Sequence, residues 1–393
     1  MKVNLLEHLP DKTFIYLEDK QRNVLFDWYE GTLTSLGKKL NLSLKNISRY
    51  RNGTRGIPLK LFFKFLDLSN KNLFLFQDKV TVKVGKRGNP LKIGPFLSIT
   101  PEWIYISELI RGDGSLVRGT HDSYRLNLTN TDIGLIKHTE KFFLNLGIES
   151  SNISIYPAFA NPHIKQLYIH SEIISYFFNS FFKIPFGRKE KMGFPDFILK
   201  NRDFSINAVK GIFDAEGNIM SYKTKFKGFN RGRVMIVSFD EKYLEKIKLI
   251  LNKFNIHPWI WKEKRDKYKD FYRLVINYGE GIKKFAKLIK PLHKKRNEKL
   301  KLLVSTYTTS RIHSKDLVLR ILKLLLNKNM RRKELLGYSK LSDNNFGKLL
   351  GRLVKENLIY VVNKLVTNKG CWFVYGITKE GKDYLKLYAE DFS

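Results

Sequence analysis

The sequence predicts an α+β fold in which an αββαββα unit occurs twice in tandem between two smaller, helix-rich domains. Three observations predict it. Residues 104–116, IYISELIRGDGSL, and 207–219, NAVKGIFDAEGNI, are both apolar helical patterns that end in an acid, a Gly and a strand. The same order of strand pairs and helices follows each copy. Outside residues 97–308 the pattern changes to helix signals punctuated by Gly, Pro and polar turns.

Composition narrows the partners. The chain carries 72 Lys and Arg against 37 Asp and Glu, a formal net charge of +35. Such a surface attracts polyanions, with nucleic acid ahead of anionic membrane for an aromatic-rich chain. A hydrophobic content of 43% is ample for packed cores and argues against wholesale disorder. Cys371 is the one cysteine, which excludes an intrachain disulfide framework and a Cys-based zinc site. No apolar run reaches the length of a membrane span, and MKVNLLEHLPDKTF places acids where a signal peptide is apolar. A soluble, cytoplasmic protein without a membrane partner is expected.

Residues 1–96 read as helix, tight turn, helix, Gly/Pro turn and helix, then a short β-hairpin over 79–94. Thr34 and Ser43 are the expected caps of the two helices around the turn. Between residues 36 and 60 lie seven basic residues and no acid. The second helix offers Leu44 and Ile47 to a core, and Lys45, Asn46, Ser48, Arg49 and Arg51 to the outside. This segment resembles the repressor-type helix-turn-helix family. Residues 313–393 read as three helices, two strands and a closing helix, a winged-helix-like order. Their third helix turns Phe346, Leu349, Leu350 and Leu353 inward and Asn344, Asn345, Lys348 and Arg352 outward.

The central repeats divide at 97–200 and 201–308. Thr100-Pro101-Glu102 opens the first motif helix and Ser205 is the expected cap of the second. Ala208, Gly211 and Ala215 form a stripe of small residues that lets another helix approach closely, with Gly112 available on the facing helix. Two helices packed on that stripe bring Asp113 and Glu216, 103 residues apart, to one place. Adjacent carboxylates repel unless a cation is shared, and hard oxygen ligands select Mg²⁺ over softer metals.

The paired motifs resemble the LAGLIDADG homing endonuclease family in its single-chain, two-motif form. In motif order the copies are Ile106-Ser107-Glu108-Leu109-Ile110-Arg111-Gly112-Asp113-Gly114 and Val209-Lys210-Gly211-Ile212-Phe213-Asp214-Ala215-Glu216-Gly217. The resemblance implies catalytic, metal-binding carboxylates at Asp113 and Glu216, one for each strand of duplex DNA. It implies a monomer with internal pseudo-twofold symmetry and no second copy. It also implies a sheet saddle that reads DNA. Candidates for that surface are Arg125 and Asn127, alternating with Leu126 and Leu128; Gln166, beside Lys165; Lys223, Lys225 and Lys227; and Arg231 and Arg233. Residues 283–301, with nine basic residues and the lone acid Glu298, read as a phosphate clamp or a charged linker helix.

The sequence departs from the family pattern at two points. Glu108 stands where Gly is usual and brings a charge into the seam unless it tilts out or pairs with a neighbour such as Lys210. The second strand of each repeat ends in Thr129-Asn130-Thr131 and Ser238-Phe239-Asp240, without the Lys or Gln often found there. Three functions stay open: a Mg²⁺-dependent, site-specific double-strand DNA endonuclease, a non-cleaving DNA-binding transcription regulator on the same scaffold, and an RNA maturase for intron splicing. No splice-junction Cys or Ser begins the chain and no His-Asn ends it, so no intein is expected.

Overall fold

The computed structural model describes residues 1–27, 29–70, 72–76, 79–85, 88–119, 124–189, 193–223, 230–264, 271–339, 341–367 and 370–389, with side chains for all but 222, 223, 230, 231, 306–316, 364–367, 370, 371 and 387–389. Lys225 and Lys227 lie outside the described residues, and the side chains of Lys223 and Arg231 outside the described atoms. The chain divides into two compact units, Met1–Ile219 with Val234–Glu298, and Met220–Arg233 with Lys299–Ser393.

The first unit begins with β1 (Lys2–Asn4), β2 (Thr13–Tyr16), α1 (Asp19–Phe26), α2 (Leu33–Leu40), α3 (Leu44–Arg51), β3 (Ile57–Pro58), α4 (Leu59–Leu68), β4 (Val80–Val84), β5 (Leu91–Ile93) and β6 (Phe96–Ser98). Helices α2 and α3 meet at Asn41, which takes the left-handed conformation an Asn tolerates, φ 57°. Ser43 caps α3 as expected, but α2 is capped by Thr32, whose hydroxyl accepts from Ser35 N, and Thr34 lies inside the helix. The buried side of α3 is Ile47 and Tyr50, whereas Leu44 is 50% exposed. Leu44 opens an eight-residue helix whose core contact is made one turn later. The expected hairpin exists as β4 and β5, paired Val80↔Ile93 and Val82↔Leu91. It belongs to a four-stranded sheet in the order β3-β2-β4-β5, because the short β2 and β3 add to its edge.

This region is fastened to the first repeat. Strand β1 pairs with β6, Asn89 N donates to Glu172 Oε2 (3.1 Å), and Asn89 Nδ2 donates to Asn152 Oδ1 (3.0 Å).

The first repeat is α5 (Pro101–Asp113), β7 (Gly114–Arg118), β8 (Tyr124–Asn130), α6 (Ile133–Asn145), β9 (Ile153–Ala158), β10 (Asn161–Ile169) and α7 (Glu172–Ser180). After the short α8 (Phe197–Lys200), the order returns as α9 (Arg202–Glu216), β11 (Gly217–Lys223), β12 (Asn230–Ser238), α10 (Glu241–Lys253), β13 (Trp259–Glu263), β14 (Phe271–Ile276) and α11 (Gly279–Ile289). The sheets have matching orders, β7-β8-β10-β9 and β11-β12-β14-β13. Leu126, Leu128, Leu167 and Ile169 bury one face of the first sheet, and Ile236, Leu274 and Ile276 one face of the second. Asn201, not Ser205, caps α9: its side chain accepts from Phe204 N, while Ser205 Oγ donates to Ile198 O.

Helices α5 and α9 share the seam that holds the repeats together. A Cβ on Gly112 would lie 2.3 Å from Ala215 Cβ, and one on Gly211 2.3 Å from Tyr105 O and 3.0 Å from Glu108 Cβ. Any larger residue at these points forces the helices apart. Ala208 is buried with Ile106, Leu109, Val209 and Ile212. Gly112, Gly211 and Ala215 thus meet across the seam, and Ala208 is buried on α9.

The second unit holds the end of β11 from residue 220, the start of β12 up to residue 233 and most of α12 (Lys294–Asn327), then β15 (Met330–Arg331), α13 (Arg332–Ser339), α14 (Asp343–Lys355), β16 (Ile359–Thr367), β17 (Gly370–Ile377) and α15 (Lys379–Ala389). The first of the three helices expected within 313–393 starts at Lys294 and runs through residues 308–313, since neither Gly nor Pro interrupts that stretch. Phe346, Leu350 and Leu353 of α14 pack with Ile321, Leu322, Leu335 and Ile359, beside a sheet in the order β15-β17-β16. Among the described residues no helix is long and apolar enough to cross a membrane.

The seam predicts a contrast between two glycines. Gly211→Ala must displace Tyr105 or separate α5 from α9, so it is expected to destabilise the first unit by ~1–3 kcal/mol. Gly351→Ala in α14 meets nothing within 4 Å, so it is expected to stabilise its helix by up to ~1 kcal/mol. Scanning calorimetry of the two variants checks both signs.

Candidate active site

The chemistry of the site begins where α5 and α9 end. Each helix stops at its acid, and the next residue, Gly114 or Gly217, turns directly into a strand. A Cβ on Gly114 would lie 2.6 Å from Asn127 O, and one on Gly217 2.2 Å from Phe213 O, which explains an acid-Gly pair at both places. The close seam sets Asp113 and Glu216 side by side: Glu216 Cγ is 3.2 Å from where Cβ of Gly112 would stand. Both carboxylates are half-buried.

Two cations face them, one per repeat. Lys189 Nζ donates to Gly112 O (2.6 Å) and Ile110 O (3.2 Å) at the end of α5. Arg296 donates to Gly217 O (2.6 Å), Ala215 O (2.7 Å) and Asp214 O at the end of α9. Each caps carbonyls that a helix C-terminus leaves unpaired and places a positive charge at the negative end of the dipole. Asn130 Nδ2, at the end of β8, donates to Asp113 Oδ2 (2.7 Å). The neighbourhood that lacks a strand-end lysine thus supplies an amide instead.

Burial raises the carboxyl of Asp113 from 3.8 to about 7, helped by the charge of Glu216 and opposed by Arg296, Lys189 and Asn130. Glu216 is raised too, by burial against the pull of Lys189 and Arg296. Burial also brings the Lys189 ammonium down to about 8, although both carboxylates favour its charge. These shifts mark a desolvated cluster whose negative members gain from a further cation. The donors are hard oxygens, suited to a divalent ion. Among the described residues no group of three His, Cys, Asp or Glu is placed to hold a metal. Asp113 and Glu216 are the residues that would hold such an ion.

Glu108 is fully buried, and its partner is not Lys210. Arg111 Nε donates to both of its oxygens at 3.0 Å, and Tyr243 OH donates to Oε2 at 2.5 Å. Lys210 instead lies over the Tyr105 ring, 5.6 Å from its centroid. Arg111 sits three residues on along the same helix face, and it reaches Glu108 without crossing the seam.

Residues 203–290 match the model of the LAGLIDADG-like domain. The match spans the second repeat. The ATP-dependent DNA helicase Hel308 of Methanocaldococcus jannaschii is 27% identical over 164 residues, which are 39% of this chain and 13% of the helicase. The chain thus spans about 13% of that relative's length. Among solved structures, the chain is similar to I-DmoI in complex with DNA and Mn (20% identical, 47% of this chain, 94% of that chain, TM-score 0.35). It is also similar to the LAGLIDADG homing endonuclease I-GzeII in complex with its DNA target (12%, 66% and 98%, TM-score 0.36).

The remaining expected residues lie on the flanking helices and on the sheets. Lys45, Arg49 and Arg51 are exposed on α3, and Lys348 and Arg352 on α14, where Arg352 Nε pairs with Glu356 (3.4 Å). Arg125, Asn127 and Gln166 share the open face of the first sheet, with Arg125 over the Tyr168 ring at 5.1 Å. Lys165 alternates with Gln166 and shares the helix-covered side with Leu167, opposite Asn130. It cannot join Gln166 on the open face. Arg233 lies on β12, offset by one residue from buried Val234. The basic run 283–301 is split between α11 and α12, and its Arg296 turns inward to the α9 carbonyls.

Sequence reasoning missed Lys189, Arg296, Asn130 and the exposed, stacked pair Trp259 and Trp261 on the second sheet. A signal for the cations existed: Lys189 follows Asp113 by 76 residues and Arg296 follows Glu216 by 80.

The raised Asp113 has a thermodynamic consequence. Its folded-state value lies above the unfolded one, so between about pH 4 and pH 7 the folded chain holds a proton the unfolded chain has lost. That contribution to stability is full below this window and declines as pH rises through it. The melting temperature of the metal-free protein is expected to fall more steeply there than that of Asp113→Asn. Parallel profiles in calorimetry would mean that Asp113 ionises freely.

Proposed function

We propose that the chain is a site-specific, homing-type DNA endonuclease that hydrolyses one phosphodiester in each strand of duplex DNA. The observation that carries this reading is the twin arrangement at the seam: two half-buried carboxylates from duplicated helices, each beside its own inward-turned cation. A divalent cation held by Asp113 and Glu216, Mg²⁺ being the hard ion such oxygens favour, would activate water and neutralise the scissile phosphate. The chain's own groups do the rest. Asn130 fixes the rotamer of Asp113, and the partial desolvation of both acids sharpens their need for a positive partner. Lys189 and Arg296 hold positive charge where the phosphates would add negative charge.

The sheets would supply the saddle. Arg125, Asn127 and Gln166 carry the donors and acceptors that read base edges, while Arg231, Arg233, Lys223, Lys225 and Lys227 would hold phosphates. In this reading α2 and α3 form a helix-turn-helix module, with Lys45, Arg49 and Arg51 toward DNA. Residues 313–393 form a winged-helix module with Lys348 and Arg352 on its outer helix. Both lengthen the footprint. The chain acts as a monomer, because the seam already joins two halves.

Selection from a random duplex library in Mg²⁺ is expected to recover a site that is cut in both strands. Asp113→Asn and Glu216→Gln are expected to abolish cleavage while leaving binding within a few-fold, because each removes only charge that repels phosphate. Protection without cutting, unchanged by either substitution, would make the chain a binder; preference for RNA in competition would point to splicing assistance.

A further inference from the structure

The two motif helices differ at aligned positions in a way their carboxylates do not explain. Arg111 aligns with Asp214 and Glu108 with Gly211, each pair separated by 103 residues, as Asp113 is from Glu216. Arg111 and Asp214 are 1% and 0% exposed. Opposite charges at equivalent interior positions are tolerated only when each has its own partners. Both do, and each holds the backbone segment that follows the last helix of its own repeat, Arg111 pairing besides with Glu108 and Asp214 accepting besides from Tyr105 OH of α5 (3.0 Å).

Asp214 accepts from Leu292 N (2.8 Å) and His293 N (3.2 Å), on the stretch of backbone that runs into Arg296. Arg111 Nη2 donates to Phe182 O (2.6 Å) and Nη1 to Gly193 O (2.7 Å), on either side of Lys189 in the chain. Each segment then returns its cation to the carbonyls just before the acid of the same motif. One segment presents amides and needs an acceptor; the other presents carbonyls and needs a donor. That difference sets the sign of the buried charge. The guanidinium then needs a counter-charge, which Glu108 supplies from the position that is glycine in the other copy. Asp132 Oδ2 accepts from Lys294 N (2.7 Å) and ties the second segment a second time.

We propose that Arg111 and Asp214 are positioning residues, each setting the geometry of one half of the site through the segment it holds, so that the two strands are cut under separate structural control. The proposal rests on the endonuclease reading above. A general structural role makes a different prediction: loosening either anchor in the shared seam slows both strands together.

The test uses a supercoiled plasmid bearing the selected site, with the full chain and Mg²⁺. Arg111→Lys keeps the charge beside Glu108 and loses the fork; Asp214→Asn keeps the shape but sets an NH₂ donor against one of the groups that donate to Asp214. Each is expected to accumulate nicked circles, one strand slowing on the order of tenfold to a hundredfold while the other stays near the wild-type rate. The spared strand is expected to differ between the two variants, and binding measured without divalent cation is expected to stay unchanged. Lys189→Met is expected to slow the same strand as Arg111→Lys, and the double variant to be no slower than Lys189→Met. Should Arg111→Lys not fold, Tyr243→Phe, which loosens Glu108 from outside the segment, is expected to show the same strand bias in milder form. Equal slowing of both strands, or the same spared strand in both variants, overturns the proposal. A wild-type chain that cuts no site overturns the endonuclease reading itself, and that result is read before any variant is made.

Discussion

The structure depends on how closely α5 and α9 approach. Gly112 against Ala215 and Gly211 against Tyr105 leave no room for another carbon, so the duplicated helices meet backbone to side chain along their length. Everything near the site inherits its position from that contact. The acids end at one depth because the helices do, and the strands that begin at Gly114 and Gly217 start level with each other for the same reason. The cost of placing Asp113 beside Glu216 is met from outside the motif, by cations that arrive on segments after the last helix of each repeat.

What the sequence made legible was local or periodic. The repeat, the acid-Gly endings, the small-residue stripe, the inward face of α14 and the β4–β5 hairpin follow from spacing within a few turns or strands. What it hid was tertiary. Lys189 and Arg296 lie far along the chain from the acids they face, and only their similar spacing from those acids, 76 and 80 residues, marks them. Lys165 is a DNA-binding candidate whose direction the sequence leaves open; the register sets it opposite Asn130, at the strand end next to Asp113. Glu108 posed a visible problem with a nearby answer, Arg111 at i+3, but Arg111 counted as one more basic residue in a basic chain. The long α12 escaped for the opposite reason: the sequence pattern ends the central repeats at 308 and begins the last domain at 313, yet without Gly or Pro the hydrogen-bond ladder continues.

The excess of positive charge takes on a different meaning in this frame. Most of the 72 basic residues are surface charge of the kind that attracts polyanions. Arg111, Lys189 and Arg296 are instead internal fasteners, whose donors are used on carbonyls and whose charges are met by Glu108, Asp113 and Glu216. Counting charge gives the partner class; burial tells which charges hold the fold.

Glu108 also limits how this scaffold can assemble. It is accommodated because the helix across from it carries Gly211. Two copies of the first repeat, paired with each other about the same axis, would set one glutamate against another and leave no glycine to receive either. The second repeat paired with itself would lack the tyrosine and arginine arrangement that Glu108 completes. Neither half is therefore a ready-made homodimer. A lopsided seam of this kind pairs one first repeat with one second repeat, and the single chain supplies both.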